Sequence, residues 1–436
     1  MEDRHIIIIG GGFAGINLAR ELGDREGIAV TLVDRNNYNF FSPLLYQVAT
    51  GVLDISSICI PFRTLFKKKE NLRFRLGELQ EINTKENRVV LSTGELQYDY
   101  LVIATGTKSN FFGMENIEKN ALSMKTVDEA IVIRNFLIGE AERYIHVKEE
   151  SERRKMRNIV ISGAGPTGVE VAGMIAEMKN NILSTIYPEL DGRKLNIYLV
   201  DGAPTVLSTM REKSQKYSKE SLEKMGVHVK LNKMVSDYKG DTVFFKDGDI
   251  IETKTLIWTS GVIAAKIDGL QEECYDKGNR LKVDHINKVA NTENIFAVGD
   301  GCIQKTDPNY PDGHPQLGSV AMQQGKAIAK NLVAIVKNKK VRPFKYLDKG
   351  TMAIIGRSKA VADLSFPKTT LTGWLAWMAW SMIHLVLLAN YRNQFRTLSN
   401  WAGAYFTQGQ AQGIMIGAVK EKSVVTARPQ PERLKI

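Results

Sequence analysis

A run of isoleucine from Ile6 to Ile9 stops on Gly10, and the chain then reads Gly-Gly-Gly-Phe-Ala-Gly before a helical pattern takes over. An apolar, β-branched run of this length reads as a strand buried on both faces. Gly10, Gly12 and Gly15 have the spacing G-x-G-x-x-G at the point where that strand must turn into a helix. The three glycines meet different needs: a tight turn, close approach of backbone to a pyrophosphate, and close packing of helix on strand. The helix start adds unpaired N–H groups and the positive end of the helix dipole. A second apolar run, 29–34, ends on Asp34, 24 positions after Gly10. An acid there can accept a ribose hydroxyl. With Phe13, Ala14 and Arg35 these residues form a candidate dinucleotide cradle.

The pattern returns. Residues 158–162 read as a strand, and Gly163, Gly165 and Gly168 repeat the motif, with Thr167 inside it. Asp201 ends the next strand, 38 positions after Gly163, the added length being a longer helix and a loop at 184–193. A hairpin and an apolar strand follow each motif, ending on Thr105-Gly106 in the first case and Gly261 in the second. The separations are 96 positions from Gly10 to Gly106 and 98 from Gly163 to Gly261. Two dinucleotide-binding domains of similar size are the simplest explanation. A third strand, 294–300, returns towards the first cradle and ends on Gly299-Asp300, where a carboxylate can accept a flavin's ribityl hydroxyl. That makes FAD the expected first ligand. At the second cradle the Asp201 carboxylate would accept a 2′-hydroxyl and repel a 2′-phosphate, favouring NADH over NADPH. Arg211 would weaken that preference if it lay beside the ribose.

Composition narrows the rest. The formal net charge is +11 over 436 residues, which suits an anionic partner such as lipid or phosphate. No basic-aromatic platform or DNA-binding motif accompanies it, so nucleic acid is not expected. Cys59, Cys274 and Cys302 form no CxxC arrangement, so neither a disulfide framework nor a metal site is expected. Only five residues precede the first apolar run, short for a targeting leader.

Together these features resemble the two-dinucleotide-binding flavoprotein superfamily. Within it the chain is similar to the type II (non-proton-pumping, alternative) NADH:quinone oxidoreductases. The stretches that carry the likeness are 34–51 (DRNNYNFFSPLLYQVATG), 104–107, 163–173, 258–262, 296–300, 320–325 and 371–406. The resemblance implies an α/β fold of two Rossmann-like domains, the NADH domain inserted in the FAD domain, plus a C-terminal helical membrane-anchoring region. The corresponding boundaries are 1–125 with 265–345 for FAD, 126–264 for NADH, and 346–436 for the C-terminal region. It implies hydride transfer from NADH to FAD and then reduction of a membrane quinone. Gly10, Gly12, Gly15, Asp34, Thr105, Gly106 and Asp300 would hold FAD, and Gly163, Gly165, Gly168, Asp201 and Gly261 would hold NADH. Glu170 matches a family glutamate near the nicotinamide and flavin, where a buried carboxyl could pass protons to quinone. An ion pair with a lysine is the structural alternative. Gln323 and Gln324 would lie near the isoalloxazine and the quinone headgroup. Gly318-Ser319 stand where the family often has Ala-Gln, which removes one amide donor. A homodimer is also expected from the likeness.

Residues 371–389 carry no Asp, Glu, Lys or Arg, and four of the five tryptophans (Trp374, Trp377, Trp380, Trp401) lie in 371–406. The length is borderline for a span. Tryptophans crowded at one end, with Arg392 and Arg396 just beyond the run, suit the headgroup level instead. The expectation is an interfacial amphipathic anchor on the cytoplasmic face of the membrane. Its partner would be anionic lipid, because seven Lys/Arg oppose two Asp/Glu over 390–436.

Two other functions share the fold. A sulfide:quinone oxidoreductase needs paired cysteines near the flavin. A redox-sensing flavoprotein would keep both glycine motifs but needs no quinone pocket or anchor.

Overall fold

The computed structural model describes residues 3–180, 186–187, 189–190, 194–407 and 415. The basic tail 408–436, apart from residue 415, and most of the loop at 184–193 lie outside the described residues. The chain divides into two compact units. One comprises Met1–Phe40, Cys59–Lys108 and Val262–Asp348; the other comprises Phe41–Ile58, Ser109–Gly261 and Lys349–Ile436.

The first unit is built on a five-stranded parallel sheet in the order Ile295–Ala297, Tyr100–Ile103, Arg4–Ile9, Ile28–Asp34, Leu72–Leu76. Successive strand side chains point to opposite faces, and the isoleucine run obeys this. Ile6 and Ile8 enter the core beneath the helix Phe13–Leu22, whereas Ile7 and Ile9 pack on the other face with Leu101, Ile103 and Ile295. The helix Gly318–Val336 lies against Phe13–Leu22. Gly325 permits the approach, since a β-carbon there would sit 2.3 Å from the Ala14 carbonyl oxygen.

The second unit repeats the plan. Its parallel sheet runs Leu122–Ser123, Thr255–Trp258, Asn158–Ser162, Asn196–Val200, Val227–Lys230. In both sheets the central strand feeds the glycine motif. Each unit also carries a three-stranded antiparallel meander, Leu79–Gln97 in the first and Val235–Glu252 in the second. The helix Val127–His146 starts on a reciprocal cap, in which the Thr126 hydroxyl accepts from the Glu129 amide (3.3 Å) and the Glu129 carboxylate accepts from the Thr126 amide (2.9 Å).

The C-terminal region clusters with the second unit. Three antiparallel strands, Gly350–Gly356, Lys359–Leu364 and Thr369–Thr372, lead into the helices Gly373–Leu387 and Tyr391–Thr407. Among the described residues no helix is long and apolar enough to cross a membrane. Gly373–Leu387 has 15 residues, about 22 Å at the α-helical rise, short of the roughly 30 Å hydrocarbon core. The uncharged run is therefore a short helix with an apolar outer face. Trp374, Leu375, Met378, Met382, Ile383, Val386 and Leu387 are all exposed.

Tyr391–Thr407 is amphipathic in the reverse sense to a water-facing helix. Its inner face is polar and bonded. Arg396 donates to Ser56 Oγ (2.8 Å), Thr397 to the Ser57 carbonyl (3.4 Å), Asn400 to Ser57 Oγ (3.1 Å) and Trp401 Nε1 to Gln47 Oε1 (2.7 Å). Its outer face shows Tyr391, Phe395 and Leu398. The tryptophans divide differently from the sequence expectation. Trp374 faces outward, but Trp380 is buried and stacks on His384 with ring centroids 4.1 Å apart. Burial pushes the half-buried His384 imidazole down to about 4, which favours its neutral form.

Candidate functional site

Both glycine motifs show the same division of labour. Gly10 has φ +105°, and a β-carbon there would lie 2.4 Å from the Ala104 carbonyl oxygen. One at Gly15 would lie 1.9 Å from the Gly10 carbonyl oxygen. Gly163 (φ +104°) and Gly168 are equally closed, the latter 1.7 Å from the Gly163 carbonyl oxygen. These four positions are glycine because the fold leaves no room. Gly12 and Gly165 differ. Their backbones are extended, with φ −74° and −72°, a conformation open to any residue. No protein atom lies within 4 Å of a β-carbon built at either. Neither conformation nor protein packing calls for glycine there, and both turns are left open on the side where a ligand would approach. That is the pattern expected where a pyrophosphate approaches a helix N-terminus. The residues present therefore fit a dinucleotide at each turn.

The acids at the strand ends are held alike. Asp34 accepts from the Gly11 amide (2.7 Å) and the Asn36 amide (2.8 Å). Asp201 accepts from the Ala164 amide (2.6 Å) and the Ala203 amide (2.7 Å). In each case the carboxylate buttresses the turn it serves. Burial pushes the Asp34 carboxyl above its ordinary value, against the pull of those two amides. Arg35 is exposed. Phe13 begins the first helix, beside Gly318, and Ala14 is buried in it.

Within the first unit, four strand ends carry the residues singled out: Ile9 before Gly10, Asp34 itself, Ile103 before Thr105-Gly106, and Ala297 before Gly299-Asp300. Ligands of open α/β sheets gather at the carboxyl ends of strands. The last two meet directly, since a β-carbon at Gly301 would lie 3.1 Å from the Gly106 carbonyl oxygen. Within the second unit, Gly163, Asp201 and Gly261 follow three strand ends in the same way. Thr259 closes the turn by donating to the Ser162 carbonyl (2.7 Å). Thr167 lies in the first turn of the second motif's helix. Arg211 is engaged away from Asp201. Its guanidinium donates to the carbonyls of Leu364 (2.8 Å) and Thr369 (2.7 Å), anchoring the C-terminal strands.

Gln323 and Gln324 have partners that the sequence did not reveal. Gln323 pairs with the Leu347 backbone in both directions, each bond 3.0 Å. Buried Gln324 accepts from the Gly299 amide (2.7 Å) and so fixes the turn bearing Asp300. At the departure from the family pattern, the Ser319 hydroxyl pairs with the Tyr346 phenol (2.8 Å).

Glu170 projects from the helix Pro166–Met178 towards the strand Gly350–Gly356, where the Ile354 amide donates to it. Burial outweighs that bond and pushes the carboxyl up to about 8. Two turns on, Glu177 accepts from the Arg357 amide of the same chain segment. Across the helix Leu45–Ala49 stands Tyr46, fully buried, its phenol raised well above its ordinary value by burial and then by Glu170. Sequence reasoning missed Tyr46 and Gln47. The signal was present, because both fall in the 34–51 stretch that carried the family likeness.

Two of the three cysteines, Cys274 and Cys302, are buried. They form no disulfide, and burial pushes the Cys302 thiol up to about 12 and raises Cys274 as well.

The sequence matches the family described as pyridine nucleotide-disulphide oxidoreductase over residues 4–325, and the NDH2 C-terminal domain over 349–408. A type II NADH:quinone oxidoreductase of Mycobacterium tuberculosis is 35% identical, the alignment covering 94% of this chain and 89% of that protein. One from Haemophilus influenzae is 31% identical, covering 85% and 89%. Among solved structures, NDH2 of Plasmodium falciparum in complex with NADH superposes with a TM-score of 0.86 at 22% identity, covering 93% of this chain and 99% of that one. The twinned cradles, the family match and the C-terminal domain agree: the chain belongs to the type II NADH:quinone oxidoreductases.

Proposed function

We propose that this protein oxidises NADH at the second cradle and reduces a membrane quinone by way of FAD held at the first, without pumping protons. The observation that carries the reading is the pair of matching turns, closed by protein at Gly10, Gly15, Gly163 and Gly168 and left open at Gly12 and Gly165. When bound, FAD supplies the hydride acceptor and returns electrons to the quinone. The protein's own residues bind and orient. Gly10, Gly12, Phe13, Ala14, Gly15, Asp34, Arg35, Thr105, Gly106, Gly299 and Asp300 hold the flavin dinucleotide. Gly163, Gly165, Thr167, Gly168, Asp201 and Gly261 hold NADH. Arg211 is committed to the C-terminal strands, and Asp201 meets the 2′-position, which favours NADH. Glu170 is the proton-holding group, because a carboxyl near 8 exchanges protons in the working range. Gln324 serves by fixing the Gly299–Asp300 turn, and Gln323 by fixing Leu347.

The outward apolar residues of the two C-terminal helices form the surface that meets lipid, as an interfacial anchor on the cytoplasmic face. Anionic headgroups suit the charge of +11. A homodimer belongs to the same reading, and light scattering in detergent checks it.

The test is purification in mild detergent, an absorbance spectrum, and NADH oxidation with a short-chain quinone, with NADPH in parallel. A flavin spectrum with NADH-dependent quinone reduction is expected. A flavin bleached by NADH but not reoxidised by quinone overturns the reading in favour of a redox sensor.

A further inference from the structure

Phe112 holds a backbone conformation that its own packing does not explain. Its φ is +52°, in the left-handed region that a bulky side chain rarely adopts. Eleven non-glycine residues share that region among the described residues, and eight are Asn or Asp, whose short polar side chains tolerate it. Of the other three, Ser358 lies in the tight turn between the strands Gly350–Gly356 and Lys359–Leu364, where positive φ is usual. Leu207 is fully buried, so packing holds it, and its amide donates to the Ala164 carbonyl in the second glycine turn (2.8 Å). Phe112 is instead 62% exposed. Its neighbours fix the turn. Asn110 Oδ1 accepts from the Phe112 amide (2.9 Å), the Asn110 amide donates to the Gly261 carbonyl (3.2 Å), and the Asn110 carbonyl accepts from Trp258 Nε1 (2.8 Å). Phe111 stacks on Trp258, ring centroids 6.2 Å apart. All these residues belong to the second unit. An apolar ring is thus held outward in a strained conformation, and strain that the surroundings over-determine clusters at ligand clamps.

The tip of that ring meets the second cradle, since a β-carbon at Gly261 would lie 2.9 Å from Phe112 Cζ. Gly261, Gly163 and Asp201 follow the strands Thr255–Trp258, Asn158–Ser162 and Asn196–Val200, which are neighbours in that order. The order gives a bound dinucleotide a direction. The acid takes the adenosine ribose and the glycine turn takes the pyrophosphate, so the nicotinamide half is left to run the other way, towards Gly261 and Phe112. We propose that Phe112 is a binding residue for NADH, its exposed ring the platform that meets the nicotinamide. A planar heterocycle suits an aromatic face or edge. The inference deepens the reading of the second cradle as the NADH site and rests on it.

The experiment measures the dissociation constants of NAD+ and of ADP-ribose for the flavin-loaded, full-length protein by calorimetric titration. ADP-ribose shares the adenosine, both phosphates and the second ribose with NAD+ and lacks the nicotinamide. Phe112→Asn keeps a residue that accepts positive φ and removes the ring. It should weaken NAD+ binding about fivefold, the scale of one aromatic contact, and leave ADP-ribose binding unchanged. Phe112→Tyr keeps the ring and should bind both as the wild type does. If Phe112→Asn weakens both ligands equally, or neither, the ring does not meet the nicotinamide and the inference fails alone. If neither ligand binds the flavin-loaded wild type, the second cradle is not the NADH site, and that reading falls with the inference. Should Phe112→Asn fail to fold, Phe112→Leu, which keeps apolar bulk without a ring, carries the same comparison.

Discussion

Gly173 and Ile355 touch through backbone alone: a β-carbon on Gly173 would lie 1.6 Å from the Ile355 carbonyl oxygen. Glu170, Gly173 and Glu177 are spaced i, i+3, i+7 and so share one face of the helix Pro166–Met178. That face lies on the strand Gly350–Gly356 and its end, with Ile354 and Arg357 bonding the two acids. The second nucleotide motif and the C-terminal strands are thus one packed object. Gly173→Ala should force them apart, at a cost of about 1–3 kcal/mol typical of overpacking. Thermal unfolding reads the loss, and a displaced Glu170 limb in the pH profile of quinone reduction would show that the contact also places the acid.

The Glu170 carboxyl has a definite effect on stability. Its folded value, about 8, lies above the ordinary 4.5. Between those values the unfolded chain has released the proton and the folded one has kept it. Stability should therefore fall as pH rises from about 4.5 to about 8, and this contribution should be flat outside that window. Glu170→Gln should flatten it throughout, as measured by denaturant unfolding at stepped pH. An unchanged slope would show that the carboxyl is not held neutral.

Gln324 leaves the Gly299 amide unpaired if its acceptor is removed. Gln324→Leu should weaken flavin retention by about tenfold or more, from the roughly 1–3 kcal/mol cost of an orphaned buried donor. Gln324→Glu keeps an oxygen for the amide and should retain most of the affinity. Flavin release on dilution, followed by fluorescence, distinguishes the two.

Asp201 buttresses the Ala164 and Ala203 amides, and in the proposed reading it also excludes a 2′-phosphate. Asp201→Asn retains one acceptor and removes the charge. The NADH:NADPH ratio of kcat/KM should fall by at least tenfold, about 1.4 kcal/mol, with NADPH gaining. A ratio that stays put would place the 2′-position elsewhere.

The proposed lipid-facing surface can be tested without touching either cradle. Leu375→Glu with Met382→Glu removes two exposed apolar side chains, each worth about 1.5–3 kcal/mol when buried. Flotation with anionic liposomes should show at least a tenfold loss of binding, with the circular dichroism spectrum unchanged. Retained flotation would move the anchor to another surface.

The glycine spacing, the apolar runs before each motif and the acids after them determined two Rossmann sheets, their cradles and their ligand class. Those signals are local, each set by the few residues that make one turn. The absence of charge from 371–389 likewise marked an apolar helix, and the tryptophans crowded at one end with Arg392 and Arg396 beyond disfavoured a span where length was borderline. Tertiary structure decided which partner each polar group meets. Gln323 and Gln324 were expected near the flavin and quinone, and the fold adds partners that the sequence did not show, the Leu347 backbone and the Gly299 amide. Arg211, which a sequence reading could set against a cofactor phosphate, holds the C-terminal strands 152 to 158 positions away. Trp380, counted with the interfacial tryptophans, is buried, while Trp401 reaches Gln47 across 354 positions. A hydrogen-bonding side chain does not encode its partner in its own neighbourhood. The partner is fixed only when packing brings distant segments together and burial makes each unpaired donor costly.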